Sequence, residues 1–521
     1  MPNRRQVLQG AAAAMAAPAI ARAAAATTLR FVPAADLSVL DPVWTTSYQS
    51  RDHGFLVFDT LYGLDSQFRA HPQMAEGAAT EDGGKTWRIA LRPGLAFHDG
   101  TKVLARDAVA SIRRWGARDG FGQALLAAAD EIGAPDDRTI LLRLKAPFPL
   151  LPDALAKTPP SMCPIMPERL AATDPFKQVT EMVGSGPYRY KVDERVAGAL
   201  VVYERNPAYQ PRTDGTPDGT AGPKIAHFDR IEWRIIPDSA TASAALQRGE
   251  VDWWLTPDAD LLPMLRQRQG VTIENIVPTG FIATMRFNHL IPPFNNPALR
   301  RALFGAVAQA DYMIGMVGTD PANWRDKVGY FCPETTLAND EGMDALTTPR
   351  DPNAVKRALT EAGYAGEPVV ILTPTDIASA RALAEITADT LRKLGVAVEA
   401  PTMEWASLVQ RRVKTDGWNI FHTSWAALDM LNPAGHVFLR GNGKAAAPGW
   451  PDSPGIEAAR NAWFAAPDDA AQRTIARSIQ RQAFQDVPYI PLGQYFIPTA
   501  HRSDLTGMIH GNPVFWNVRR A

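Results

Sequence analysis

The stretch "FHDG" sets His98 beside Asp99 and follows them with Gly100. A histidine next to a carboxylate could move protons or help hold a metal, but either use needs a third group at a defined spacing. The chain has nine histidines, no two at helical ligand spacing, and no HExxH pattern. "GSGPY" (residues 184–188) puts a serine between glycines without the G-x-S-x-G spacing of a nucleophile elbow. "GNGK" (441–444) lacks the earlier glycine of a phosphate loop, and Ala445 stands where Ser or Thr would. Asp-Gly after an apolar run is instead a turn signal, because glycine accepts positive φ and aspartate bonds back to the backbone. Val109, Ile112 and Trp115 then recur at helical spacing. "FHDG" therefore reads as a strand–turn–helix junction with His98 as part of the turn, and the chain is not read as an enzyme.

The elements that must position any site belong to an ordinary globular chain. Hydrophobic residues make up 46% of it, charged residues 21%, and the net charge is −1. That balance argues against a nucleic-acid groove or a polybasic membrane patch. The first 26 residues read as an export signal: Arg4 and Arg5 precede an alanine-rich run, and "ARA" at 21–23 offers a small-x-small cleavage pattern. The paired arginines resemble a twin-arginine motif, although Asn3 and Val7 depart from its usual flanks. No cysteine lies near the cleavage region, so a lipid anchor is not expected there. Cys163 and Cys332 are the two cysteines, and an oxidising compartment would permit either a disulfide or two separate buried thiols.

Along the chain, "TLRFVPA" reads as a buried strand and "KTWRIALRPGLAF" as a hairpin turning at Pro93–Gly94. "FDRIEWRIIPD" is a strand, and "SATASAALQRGEVDWWL" is a helix, a glycine stop and a strand. From "FIATMRFNHL" onward strands and helices alternate, the mark of an α/β domain. There "NPALRRALFGAVAQADYMIGMV" reads as one helix, and "YIPLGQYFIPTAHR" as a closing strand that returns to the first lobe.

The run "AEGAATEDGGKTWRIALRPGLAFHDGTKVLARDAVASIRRW" resembles the signature region of the extracellular solute-binding proteins of family 5, the peptide, nickel and oligopeptide binders of ABC importers. "VGSGPYRYKV…VVYERNPAY", "ALQRGEVDWW", "PPFNNPALRRALFGAVAQADYM", "AVKRALTEAGY" and "VPYIPLGQY" are similar to further family segments, in the family's order. There are two departures. Leu104 stands where the family caps its helix with Ser or Thr, leaving Asp107 to help through the dipole. In "HTSWAALDMLNP" the family's peptide-binding members carry an aspartate three residues after the tryptophan; here Leu428 holds that position and Asp429 follows.

The resemblance implies a two-lobed α/β periplasmic-binding-protein fold, with mixed sheets flanked by helices and a ligand cleft between the lobes. It divides the chain into lobe I (27–57, 186–277 and 488–521), an extra subdomain (58–185) and lobe II (278–487). It implies capture of a peptide-like or other small polar solute and delivery to permease subunits in the inner membrane, in the periplasm, by a monomer, with no cofactor, metal or nucleic acid. A ligand-sensing role for a membrane receptor and, more remotely, a secreted hydrolase are the alternatives. The candidate ligand contacts are Tyr48, Trp254, Phe281, Trp405, Trp425 and Asp429, with Trp44, Trp253, His422 and Arg286 behind them. For each aromatic the competing fate is core packing.

Overall fold

The computed structural model describes residues 27–158 and 161–521; the expected export signal lies outside them. The chain forms two compact units. Unit 1 holds the chain through Ala146, then Leu151–Val277 and Pro498–Ala521; unit 2 holds Pro147–Leu150 and Pro278–Ile497. No helix among the described residues is long and apolar enough to cross a membrane.

Unit 1 is built on a seven-stranded sheet in the order 271–274, 499–502, 253–254, 28–32, 230–234, 200–205, 188–190. Thr28–Val32 is central and runs parallel to both Arg230–Arg234 and Trp253–Trp254. Leu29, Phe31 and Val32 are buried in it, and the part-buried Arg30 between them pairs with Asp252 at 2.9 Å. One face carries the row Trp233, Phe31 and Trp253, with Phe515 edge-on to Phe31 at 4.9 Å. Val32, Leu246, Trp254, Leu265 and Ala500 pack together as a second core cluster. Each buried Val or Leu side chain there contributes about 1.5–3 kcal/mol. Ser239–Arg248 is the expected helix, capped by Asp238 and stopped by Gly249 at φ 74°.

A separate antiparallel sheet of unit 1 runs in the order 75–81, 86–91, 139–144, 129–133. It corrects the hairpin expected at Pro93–Gly94. Thr86–Leu91 pairs with the strand before it, through a turn in which Asp82, Gly83 and Gly84 all take positive φ. Pro93–Gly94 only redirects the chain into "FHDG". The helix after it, Ala105–Gly116, has no side-chain cap from Leu104, and Asp107 in its first turn does more than the expected dipole effect: its carboxylate accepts the Leu104 N–H at 2.8 Å and the Glu168 N–H at 2.7 Å.

Unit 2 has its own sheet, in the order 324–325, 489–495, 281–287, 420–426, 369–374, 398–399. Phe281–Phe287 is antiparallel to both neighbours, and Val369–Pro374 is parallel to Ile420–Ala426. Tyr489–Tyr495 is thus a strand of unit 2, and only Thr499–Arg502, past Pro498, pairs in unit 1. The single helix expected over 296–317 is broken into Pro297–Ala302, a 3-10 turn at Leu303–Ala306, and Gln309–Val317. Gly305 lies at the break, where a Cβ would come within 2.9 Å of Val355, so close helix packing takes precedence over helix continuity. Cys163 and Cys332 are both buried free thiols, and burial raises the pKa of each.

Candidate functional site

His98 and its neighbours form the junction the turn chemistry implies. Asp99 Oδ1 accepts from the Thr101 amide at 3.0 Å and its hydroxyl at 2.6 Å, and Gly100 takes φ 86°. His98 does more than fill the turn. Its backbone N–H donates to Gly184 O at 2.8 Å, and ring Nε2 donates to Gly186 O at 3.1 Å. Burial holds its pKa down at about 4. "GSGP" is glycine-rich because the chain lies against the carbonyls of Leu56 and Val57. A Cβ on Gly184 would sit 2.0 Å from Val57 O, and one on Gly186 2.6 Å from Leu56 O. The region is a structural clasp. Among the described residues no group of His, Cys, Asp and Glu side chains is arranged to hold a metal ion.

The geometry of interest in unit 2 is at one end of its sheet. The carboxyl ends of Val369–Pro374, Ile420–Ala426 and Tyr489–Tyr495 share an edge with the amino end of the antiparallel strand Phe281–Phe287. Open α/β sheets bind ligands outside the carboxyl ends of their strands. Four of the six expected contacts fall here. Phe281 opens its strand opposite Ala426, and its ring stacks on Tyr495 at 5.5 Å. Trp425 pairs with Ile282, packs on the cluster of Ile282, Val328, Cys332, Ala427 and Met430, and meets Phe438 edge-on at 5.1 Å. Asp429 follows in a short 3-10 turn, Ala427–Met430, and is 2% exposed. Trp405 begins the helix Trp405–Arg412, two residues past a strand paired with the end of Val369–Pro374. Its amide donates to Asp376 Oδ1 at 2.7 Å.

The remaining two belong to unit 1. Tyr48 is the first residue of the helix Tyr48–Val57, half-buried, with the Arg51 guanidinium 4.8 Å from its ring centre. Trp254 is 3% exposed inside the core cluster with Val32 and Leu246. Its indole is taken up by packing, the alternative weighed for every tryptophan. Trp253 is equally buried, its Nε1 donating to Thr499 Oγ1 at 2.7 Å. His422 is buried against Thr387 at 2.8 Å, and burial lowers its pKa to about 3. Arg286 is fully buried and bonded to backbone carbonyls, so neither side chain is open to solvent.

Sequence reasoning missed the loop around Phe176, an aromatic 66% exposed on unit 1. The available signal was "TDPFKQ", an apolar residue at the apex of an Asp-Pro turn. A cavity of about 650 Å³ on unit 2 is lined by Ile386, Val355 and Leu394, and by none of the expected ligand contacts. Its rim charges Asp311–Arg350 and Asp389–Lys393 are already paired at 2.9 and 2.6 Å.

Known proteins place this architecture. The structure superposes on the periplasmic binding protein AgaA of A. tumefaciens R10, in complex with agropinic acid, with a TM-score of 0.79 at 20% identity, covering 95% of this chain and 99% of that one. It superposes on DppA of Helicobacter pylori, in complex with the peptide STSA, with a TM-score of 0.78 at 20% identity, covering 95% and 98%. The fold is that of the two-lobed periplasmic binding proteins, mixed α/β with helices flanking mixed sheets. A probable peptide ABC transporter periplasmic-binding protein of Sinorhizobium fredii is 38% identical over 98% of this chain and 97% of its own length. The profile of bacterial extracellular solute-binding proteins, family 5 Middle, matches residues 69–444. The family is one of solute binders and not of enzymes. The chain belongs to the bacterial extracellular solute-binding proteins of family 5.

Proposed function

We propose that this protein is the periplasmic substrate-binding component of an ABC importer and that its solute is a short peptide or peptide-like molecule. The observation that carries the reading is the 38% identical relative, aligned along nearly the whole of both chains and named a probable peptide transporter component. Phe281, Trp405, Trp425 and Asp429, at the carboxyl ends of the unit 2 strands, and Tyr48 of unit 1 are the proposed contacts. Trp254 supports the core of unit 1. The first 26 residues direct export, with the paired arginines as the routing signal, and the mature chain acts as a monomer with permease subunits as its partners. A ligand gains its hold only through contacts it makes better in the bound form.

Native mass spectrometry of the protein purified from its own periplasm tests the reading. A co-purifying mass that fits a peptide or an amide-bearing conjugate is expected. Ligand-free protein that also fails to bind a di- and tripeptide mixture in calorimetry would refute it. Arg4→Lys with Arg5→Lys is expected to hold precursor in the cytoplasm, and an unchanged periplasmic yield would rule out the twin-arginine route.

A further inference from the structure

Phe176 is 66% exposed, yet the loop that carries it is anchored by a buried ion pair. Arg114 and Asp41 pair at 2.7 Å, with side chains only 1% and 0% exposed. Arg114 also donates to Thr173 O at 3.3 Å and to Lys177 O at 2.9 Å, on either side of the apex. Asp41 accepts the Val179 amide at 2.8 Å and the Val43 amide at 3.0 Å. A turn closed by Asp174, which accepts the Phe176 amide at 2.9 Å, lifts the ring outward. The Trp44 indole donates to Phe176 O at 3.2 Å. The Arg118 guanidinium lies 4.9 Å from the Phe176 ring centre and donates to Trp44 O at 2.8 Å. One side of the ring is thus occupied by Arg118, and the residue's exposure leaves the other open.

An exposed aromatic side chain is ordinarily free to fold back onto apolar surface. The loop that carries this one is fixed by four hydrogen bonds to the two buried charges, Arg114 and Asp41, and by two more at its apex, from the Phe176 amide to Asp174 and from the Trp44 indole to Phe176 O. Rigid, solvent-facing aromatics whose ordering cost is already met are the side chains that carry binding energy. The segment Asp41–Ser47, which supplies Trp44 and half of the anchor, runs directly into Tyr48, one of the proposed contacts.

We infer that Phe176, seated on Arg118 and fixed by Trp44, is a specificity contact for an apolar side chain of the solute. This rests on the reading of the chain as a binder of peptide-like solutes and says which part of such a solute the loop selects. The same exposed ring could dock a membrane partner instead, and solute affinity separates the two.

The test is calorimetric titration of the full mature chain with Ala-Phe and with Ala-Ala. The wild type is expected to prefer Ala-Phe. Phe176→Ala is expected to weaken Ala-Phe about tenfold or more while leaving Ala-Ala within about twofold, and Phe176→Leu to retain most of the preference. Because the side chain is exposed, the melting temperature of Phe176→Ala should stay near that of the wild type. If the wild type binds both dipeptides and Phe176→Ala binds them as the wild type does, or loses both equally, the inference fails while the peptide reading stands. If the wild type binds neither dipeptide, the peptide reading fails and this inference with it.

Discussion

The guanidinium of Arg286 lies 4.4 Å from the ring centre of Phe438, and the same ring meets Trp425 edge-on at 5.1 Å. Arg286 is fully buried, and its N–H groups donate to the carbonyls of Phe438, Ala447, Pro448 and Pro488 at 2.8–3.2 Å. One cation thereby ties the 438–448 segment and the start of the strand Tyr489–Tyr495 to the ring behind a proposed ligand contact. Burial lowers its pKa to about 9.

Arg286→Leu should cost at least about 3 kcal/mol, because four buried carbonyls lose donors together. Arg286→Lys should recover little, since an ammonium cannot reproduce the planar fork. Chemical denaturation measures the loss, and a shifted tryptophan emission maximum in the folded variant would report movement at Trp425. A stability change under about 1 kcal/mol would show that the segment holds without the cation.

Two glycines from the clasp region separate steric contact from backbone conformation. Gly184→Ala places a Cβ 2.0 Å from Val57 O and should cost about 3 kcal/mol or more. Gly100→Ala meets nothing within 4 Å but must hold φ 86°, a cost of about 1–2 kcal/mol. Thermal melts of the two variants should rank in that order, and the reverse order would mean that the helix end at Val57 and the segment at Gly184 part easily.

Acid should destabilise the protein well above the carboxylate range. Burial holds His98 near 4 and His53, His422 and His436 near 3, so each is neutral when folded and takes up a proton on unfolding below about 6.5. Their contribution is fully present above 6.5 and is lost as pH falls toward the folded values. Asp52, raised to about 6 chiefly by burial, acts oppositely by holding a proton in the folded state at pH 5. These four histidines and His289, which burial likewise holds well below the usual range, less one aspartate give a net uptake of about four protons. That is a fall of up to about 5 kcal/mol per pH unit near pH 5. Urea denaturation between pH 7 and pH 5 measures the slope, and His98→Gln should reduce it by about one proton's worth. A flat profile over that interval would show that these rings are not neutral and buried in solution.

How far the sequence could be read depended on whether the deciding force was local. The hydrogen bond from the Leu104 N–H to Asp107 was not foreseen, but Asp107 could be named as a helper through the dipole because that effect acts within the first turn. The turn at "FHDG" was legible for the same reason, but the grip of His98 on Gly184 and Gly186 was not, since it joins segments 88 residues apart. Pro93–Gly94 looked like a hairpin because turn chemistry does not say which strand comes back; the partner of Thr86–Leu91 is set by sheet pairing. At the break over Leu303–Ala306, Gly305 lies close against Val355, a contact that no periodicity records. Trp253 and Trp254 are adjacent tryptophans with the same composition signal as Trp425. Only the strand register shows that they pair beside the central strand of their sheet while Trp425 lies one residue before the carboxyl end of its own strand.

The replacement of a family aspartate by Leu428, with Asp429 next to it, leads to the sharpest test of the proposed site. Leu428 is 7% exposed and Asp429 2%, both in the turn Ala427–Met430 that ends the strand bearing Trp425. The Ala427 amide donates to Gly280 O at 2.9 Å, which fixes where this turn leaves the sheet. A carboxylate one residue past the family position can serve a solute only with its own geometry, so its length should matter as much as its charge. A charge-assisted hydrogen bond is worth about 1.5–3 kcal/mol, so Asp429→Asn should weaken the solute recovered by mass spectrometry about ten- to a hundredfold. Asp429→Glu should be tolerated poorly, because a buried turn has no room for another methylene. The double exchange Leu428→Asp with Asp429→Leu should raise affinity for peptides with a free amino terminus if the family position is the one that faces it. Equal affinity in wild type and Asp429→Asn, with unchanged melting temperatures, would place this carboxylate outside the site and leave selection to Trp425, Phe281 and shape.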